Sequence, residues 1–429
     1  MIPKDYKALQ NIFSSLRSRN YRLYFTGQGI SLIGTWMQNI ALSWLVYRLT
    51  GSVFLLGLIG FTTQIPTFVL APFTGVLTDR YNRLRIMTLA QVFFMLQATI
   101  MAFLVLFNMI EVWHIIALSL VFGVISAFDA PARQSLVIDL IDKPEDLGNA
   151  IALNSAIFNG ARLVGPAIAG MTIAVVGEGI CFLLNAVSFI AVLAALMRIK
   201  IPAKQTAARH NNFTKSFKEG LNYTFHSVPI RTIILLLAIL SLVGLPVTVL
   251  LPAYAKEILH GGPGTLGFLM SALGAGALIG AIYMAARNSV IGLTKIISIN
   301  ICIFGLAILF ASFSKQMFFS LFALFFGGLS MVLSLAAINT MLQTITEEGK
   351  RGRVMSFYAM ALMGTQPVGN LLAGSIASGI GISHTLLIGG AITFLSGIWF
   401  EFNRKSLKKY IRPIYINKGI LPGLPSDMV

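Results

Sequence analysis

Three ionisable residues fall where the sequence is otherwise apolar enough to expel them. Asp129 and Arg133 lie near one end of the apolar run 113–136, and Arg162 lies midway along the run 148–176. A charge at the centre of a hydrocarbon layer costs at least ~2.5–3.5 kcal/mol on insertion scales, so each of these residues needs a partner or a task. Asp129 and Arg133 are spaced i, i+4 with the acid first, which on a helix sets them on one face in the favourable order for an ion pair. The pair admits three readings: a self-satisfied structural bridge, an acid that engages a cation of a nearby loop and holds one end of the molecule closed, or an acid that exchanges its cation for a proton. Burial and loss of a cation both favour the neutral carboxyl that the third reading requires. Asp129 is only ~10 Å from its helix end by rise, which favours the closing role. Arg162 is the sharper case, because about fourteen residues of helix place it ~20 Å deep. Its guanidinium must face the interior and pair with Asp129, with amides, or with an anionic group on a substrate. The side chains that could share that task are Asn159 beside it, Gln64 in the run 53–78, Gln366 in the run 353–378, and Trp36, Gln38 and Asn39 in the run 22–47.

These residues are positioned by a chain built for lipid. Of 429 residues, 56% are hydrophobic and only 11% charged, with a mean hydropathy of +0.81, against roughly one-quarter charged residues in soluble domains. Spans of ~20 residues fit the length about twelve times, and about twelve apolar runs are found. The net charge of +17 could suggest nucleic acid. Its placement argues otherwise: Lys and Arg fall in alternate gaps, with Arg80 to Arg85, Lys143, the Arg198 to Arg231 stretch and Lys350 to Arg353 on one side, and only Arg48, Lys256 and Lys315 on the other. The positive-inside rule then makes both termini and the long central connection cytoplasmic. The first apolar run is too long for a signal-peptide core and reads as a retained first helix. Cys181 and Cys302 lie within apolar runs and say nothing of redox compartment. The histidines sit at span ends or in connections, and no metal-ligand cluster, phosphate loop or hydrolase elbow occurs, so no metal, cofactor, ATP-driven step or enzyme activity is expected.

The polar interruption near 199–229 divides the chain into bundles over 1–198 and 230–403, followed by a cytoplasmic tail over 404–429. Within the interruption, Phe213, Phe217 and Leu221 recur at helical spacing opposite lysines, as in a segment lying on the membrane surface. The halves repeat one another. Gly165-Pro166 and Gly170 align with Gly369 and Gly374, and Leu56-Gly57 aligns with Leu266-Gly267. Pro166 frees a helix carbonyl and permits a bend, while Gly165, Gly170, Gly276 and Gly280 allow either close packing or a hinge.

The turn from Gly75 to Arg85 carries Asp79, Arg80, Arg83 and Arg85 between two apolar runs. Gly75 there allows a close helix approach, and Asp79 can accept from an open helix N-terminus. The pattern resembles the loop between the second and third helices of the major facilitator superfamily, G-x-x-x-D-R-x-G-R, with Asn82 at the position of the second Gly. The second half has no such motif, since its turn from Ala286 to Gly292 lacks an Asp. The resemblance implies an all-α membrane fold of about twelve helices in two bundles of about six related by a parallel repeat. It also implies a cytoplasmic gate formed by Gly75, Asp79, Arg80, Arg83, Asp129 and Arg133, with Arg83 near Asp129. The stretches Ala127 to Gln134, Asn159 to Pro166 and Lys350 to Met355 are similar to the branch that holds the bacterial enterobactin exporter and macrolide-efflux pumps, and Gly165-Pro166 to an antiporter motif.

That likeness implies a monomeric exporter of a bulky amphiphile in the bacterial inner membrane, working by alternating access with protons as the coupling ion. A largely apolar cavity with scattered hydrogen-bonding groups suits such a substrate, siderophore-like or drug-like. A lipid or lysolipid flippase, and an importer or facilitator of the same fold, are the competing expectations.

Overall fold

A buried backbone in lipid must satisfy its own polar groups, and the described residues do so with helices. The computed structural model describes residues 13–200, 221–287 and 289–422, and the side chains of Val76, Asp79 and Arg80 lie outside that description. The first half comprises α1 (Arg19–Thr50), α2 (Val53–Arg80), α3 (Arg83–Leu106), α4 (Val112–Asp139), α5 (Leu147–Val176) and α6 (Glu178–Arg198). The second comprises α7 (Val228–Ile258), α8 (Pro263–Ala286), α9 (Leu293–Phe313), α10 (Met317–Ile345), α11 (351–380) and α12 (Ile382–Asn417). No strand occurs among the described residues. Among the described residues, ten helices are long and apolar enough to cross a membrane. The other two, α1 and α11, are too polar along their length: α1 is diluted by Arg19, Arg22, Gln28, Gln38 and Asn39, and α11, which carries a π-turn at Met360–Gly364, is diluted by Thr365, Gln366 and Asn370.

Within the first half, α1 packs on α5 and α6, α3 on α4 and α6, and α2 on α4; in the second, α9 packs on α10 and α12, and α8 on α10. The halves meet along α5 against α8 and along α2 against α11. Both seams are made by the glycines of the internal repeat. A Cβ on Gly170 would lie 3.0 Å from the Cα of Gly267, and one on Gly374 would lie 2.8 Å from the Cα of Gly57, so backbone rests on backbone at each. The two contacts are repeat-related copies of one another.

Pro166 lacks the N–H that would bind the Arg162 carbonyl. That carbonyl faces Gly274 of α8, whose Cβ, if present, would lie 2.7 Å from it, and the next carbonyl, of Leu163, accepts from Ser271 Oγ at 2.9 Å. Gly165 presses on α1 at Trp36, while Gly276 and Gly280 press α8 onto α10 at Phe325 and Leu329. All are close-packing positions. Gly75 is not: a Cβ there would meet nothing within 4 Å. The close approach of α2 is made at Gly57 and Gly60, near its other end, so the expected helix contact at Gly75 is corrected.

The second half carries features that periodicity does not announce. α7 contains π-turns at Leu240–Gly244 and Tyr254–Ile258. The carbonyls loosened by such turns recruit hydroxyls: Ser241 Oγ donates to Leu362 O at 2.7 Å and Thr365 Oγ1 to Ala361 O at 2.7 Å. The segment expected to be a tail is helical through Asn417, where α12 ends. Of the amphipathic stretch, Phe213 and Phe217 lie outside the described residues, and Leu221 is exposed.

Candidate functional site

Arg162 sits halfway along the 30-residue α5. Its guanidinium carbon lies 5.6 Å from the ring centroid of Trp36 on α1, and Phe158, one turn earlier on α5, meets the same indole edge-on at 5.8 Å. The buried Nε has no hydrogen-bond partner, and among the described residues no carboxylate pairs with the guanidinium. A cation–π contact contributes ~0.5–2 kcal/mol. That is less than the cost of the buried charge, so the side chain stands as an unsatisfied cation beside an aromatic wall.

Of the three partners open to Arg162, Asp129 is not the one it meets. Asp129 is buried within the first half, where Gln91 Nε2 donates to it at 2.8 Å and Arg133 Nε lies 3.5 Å away. Tyr24 of α1 stands within electrostatic reach of both. Arg83 also departs from expectation: its Nη1 pairs with Asp139 at 2.9 Å rather than with Asp129. The reason is depth. Asp139 ends α4 at the level of the α2–α3 turn, whereas Asp129 lies about 15 Å further in by helix rise. The side chains of Asp79 and Arg80 are outside the described residues. Asn82 has a task that motif matching misses, since its Oδ1 accepts from the backbone N–H of Leu84 and Arg85 and caps α3.

The amides divide between core and seam. Gln38 leaves the substrate candidates: it is buried in the first half, donates to Gln97 Oε1 at 2.9 Å and accepts from Asn185 Nδ2 at 2.7 Å. This chain ties α1 to α3 and α6, and neither Gln97 nor Asn185 stood out in the sequence. Replacing Gln38 by Leu strands the Gln97 and Asn185 groups, at about 1–3 kcal/mol. A lower melting temperature in detergent with unchanged substrate preference is the expected result. Gln64 belongs to the seam. Contacts at Gly60 with Asn370 and at Phe68 with Gly364 bracket it one turn on either side, which sets it on the α2 face toward α11, level with Gln366. Gln64, Gln366 and Asn39 are half-buried, and none has a hydrogen bond among the described residues. Asn159, also half-buried, bonds its own helix at Ser155 O, 2.9 Å. Gln366 is the repeat counterpart of Arg162, so the cation and the amide flank the molecular centre from opposite seams.

The end of the molecule poor in Lys and Arg is closed. Tyr47 at the end of α1 donates to the Glu257 carboxylate at the end of α7, and the Lys256 ammonium lies 5.5 Å from the Tyr47 ring centroid. Beside them Arg48 bonds Glu178 at 2.7 Å and fixes α1 to α6. At the opposite, basic end Lys350 bonds Glu347 at 2.9 Å and lies 4.3 Å from the Tyr223 ring centroid. The Glu347 carboxylate holds that ammonium pKa above its ordinary value.

A family model described as "Transmembrane secretion effector" matches residues 10–409. The chain is 26% identical over 393 residues to the staphyloferrin A transporter of Staphylococcus aureus, a match covering 90% of this chain and 97% of the relative. It is 22% identical over 387 residues to macrolide efflux protein A of Streptococcus pyogenes, covering 87% and 94%. Among solved structures, a bacterial homologue of the human lysosomal transporter Spinster, inward-facing and unoccupied, superposes with a TM-score of 0.69 at 11% identity, covering 93% of this chain and 98% of that one.

Proposed function

The chain belongs to the transmembrane secretion effector family of the major facilitator superfamily, and from that premise we propose that it exports a bulky amphiphile bearing an anionic group, by alternating access and in exchange for protons. It is a multi-pass membrane transporter and not an enzyme. The observation that carries the reading is Arg162, a mid-helix cation with a free Nε and an aromatic wall. A carboxylate or phosphate would supply the missing charge-assisted hydrogen bonds, and an apolar body would rest on Trp36 and Phe158. A cationic drug would instead meet a fixed positive charge with no acid beside it, because Asp129 is engaged by Gln91 and Arg133.

The basic end is cytoplasmic in this reading, and the protein acts as a monomer in the bacterial inner membrane with both termini inside. Its surface charge draws anionic amphiphiles from the cytoplasm. The two bundles rock about the glycine seams, and the latch between Tyr47 and Glu257 keeps the outer face closed while substrate enters. Asp129 carries the returning proton: with Arg83 engaged by Asp139, the closing role passes to that pair, and Asp129 is left as a buried acid with a long contact to its cation.

Proteoliposomes under an imposed pH gradient test the coupling. Concentrative transport of a carboxylated amphiphile is expected to rise about tenfold per pH unit, the thermodynamic limit for one-proton exchange. Asp129→Asn is expected to keep binding and lose the response. Transport indifferent to the gradient would remove the antiport reading while leaving export intact.

A further inference from the structure

Beyond the transport pathway, α12 is longer than a membrane requires. Its 36 residues rise about 54 Å, against about 30 Å of hydrocarbon, so its last third stands at and beyond the lipid headgroups of the basic end. That extension leans on the turn between α8 and α9 and encloses a cavity of about 430 Å³. The cavity is two-natured. Its floor is apolar, with Leu293 and Ile411 buried, and its rim carries Lys295, Lys408, Lys409 and Arg412. Lys408 and Arg412 are one turn apart on one stripe of α12, and none of these four cations makes an ion pair among the described residues. Arg404, also on the rim, is held by Glu401. Glu401 is bonded by Arg404 and Ser298 and stands within electrostatic reach of Lys295, so among the described residues a single acid, already bonded twice, faces the cations of the rim.

We propose that this cavity is a binding site for an anionic phospholipid of the leaflet at the basic end, its phosphate held by Lys295, Lys408 and Arg412 and its acyl chains continuing over Leu293 and Ile411. Three cations over an apolar floor at headgroup depth, with only the already bonded Glu401 near one of them, match a phosphodiester joined to hydrocarbon. A soluble anion would use the rim and leave the floor unexplained. Such a lipid would brace the α12 extension against the α8–α9 turn, on the outside of the bundle and away from Arg162.

The test is native mass spectrometry of the full-length protein in detergent, with phosphatidylglycerol and phosphatidylethanolamine of matched chains at equal concentration. Retention of phosphatidylglycerol is expected to exceed that of phosphatidylethanolamine by about tenfold or more. Each neutralised cation is expected to weaken it about fivefold. The triple variant Lys295→Gln, Lys408→Gln, Arg412→Gln should therefore lose the preference, and Lys315→Gln at the opposite end should keep it. A large excess of inorganic phosphate should leave the lipid adduct in place. Equal retention of the two lipids, an unchanged preference in the triple variant, or displacement by phosphate alone would each overturn the proposal. If the triple variant cannot be purified, the two lipids and the phosphate challenge on the wild type decide.

Discussion

Arg162→Gln is expected to abolish transport of carboxylated amphiphiles while raising the melting temperature of the protein. The two effects follow from one fact, that the buried Nε has no hydrogen-bond partner among the described residues. Removing an unpaired buried charge relieves a desolvation penalty, so stability should rise. Losing the cation that holds a buried anion costs about 2–5 kcal/mol, which is roughly 30-fold to more than 1,000-fold in affinity. A structural arginine would give the opposite signature, a less stable protein that still transports if it folds. Arg162→Lys separates charge from geometry: it keeps the cation, loses the planar fork and the contact over Trp36, and should retain weak transport of the same substrates. Thermal melts in detergent and initial rates in proteoliposomes read both effects.

The second large effect is expected at the seams. Gly267→Leu drives a side chain into the Pro166 carbonyl and the Gly170 Cα, and Gly57→Leu does the same at Asn370 and Gly374. Neither clash can be relieved by a rotamer change, because the opposing atoms are backbone. Each variant should fold, since the halves have their own packed interiors, yet be unable to close the outer face. The expected result is transport reduced by at least about tenfold, at a cost to the closed state of ~1–3 kcal/mol. A cysteine introduced near Tyr47 should become reactive to an impermeant thiol reagent. A buried, unreactive cysteine with normal transport would show that these seams do not have to close. The fully buried Asn370, whose amide atoms have no partner, belongs to the same seam. Separation of the seam would let that amide meet water.

What could be read from the sequence follows from how local each signal is. The depth of Arg162 was legible, because a charge in an apolar run has a position fixed by counting residues and a cost that demands explanation. The repeat was legible as paired glycines, although not what each glycine touches. Helix phase was harder. Trp36 and Gln38 are two residues and about 200° apart on α1, so they cannot both face Arg162, and apolar patterning alone does not say which of them does. The structure turns Trp36 to Arg162 and Gln38 to Gln97 and Asn185. Long-range pairings were not legible at all. Arg83 reaches Asp139 because of how the α2–α3 turn sits beside the end of α4, and Tyr47 meets Glu257 across 210 positions. The π-turns of α7 and α11 add residues to a turn without altering the hydropathy that marks a span. They are invisible to periodicity for that reason.

The central claim, that a mid-membrane arginine selects an anionic amphiphile, is tested most directly by binding of one amphiphilic carboxylic acid and its methyl ester to detergent-solubilised protein. The wild type should bind the acid at least about tenfold tighter than the ester, the value of a single charge-assisted hydrogen bond. Arg162→Gln should bind the two alike. Equal affinity of the wild type for acid and ester, or a preference for the acid that survives in Arg162→Gln, would contradict the account.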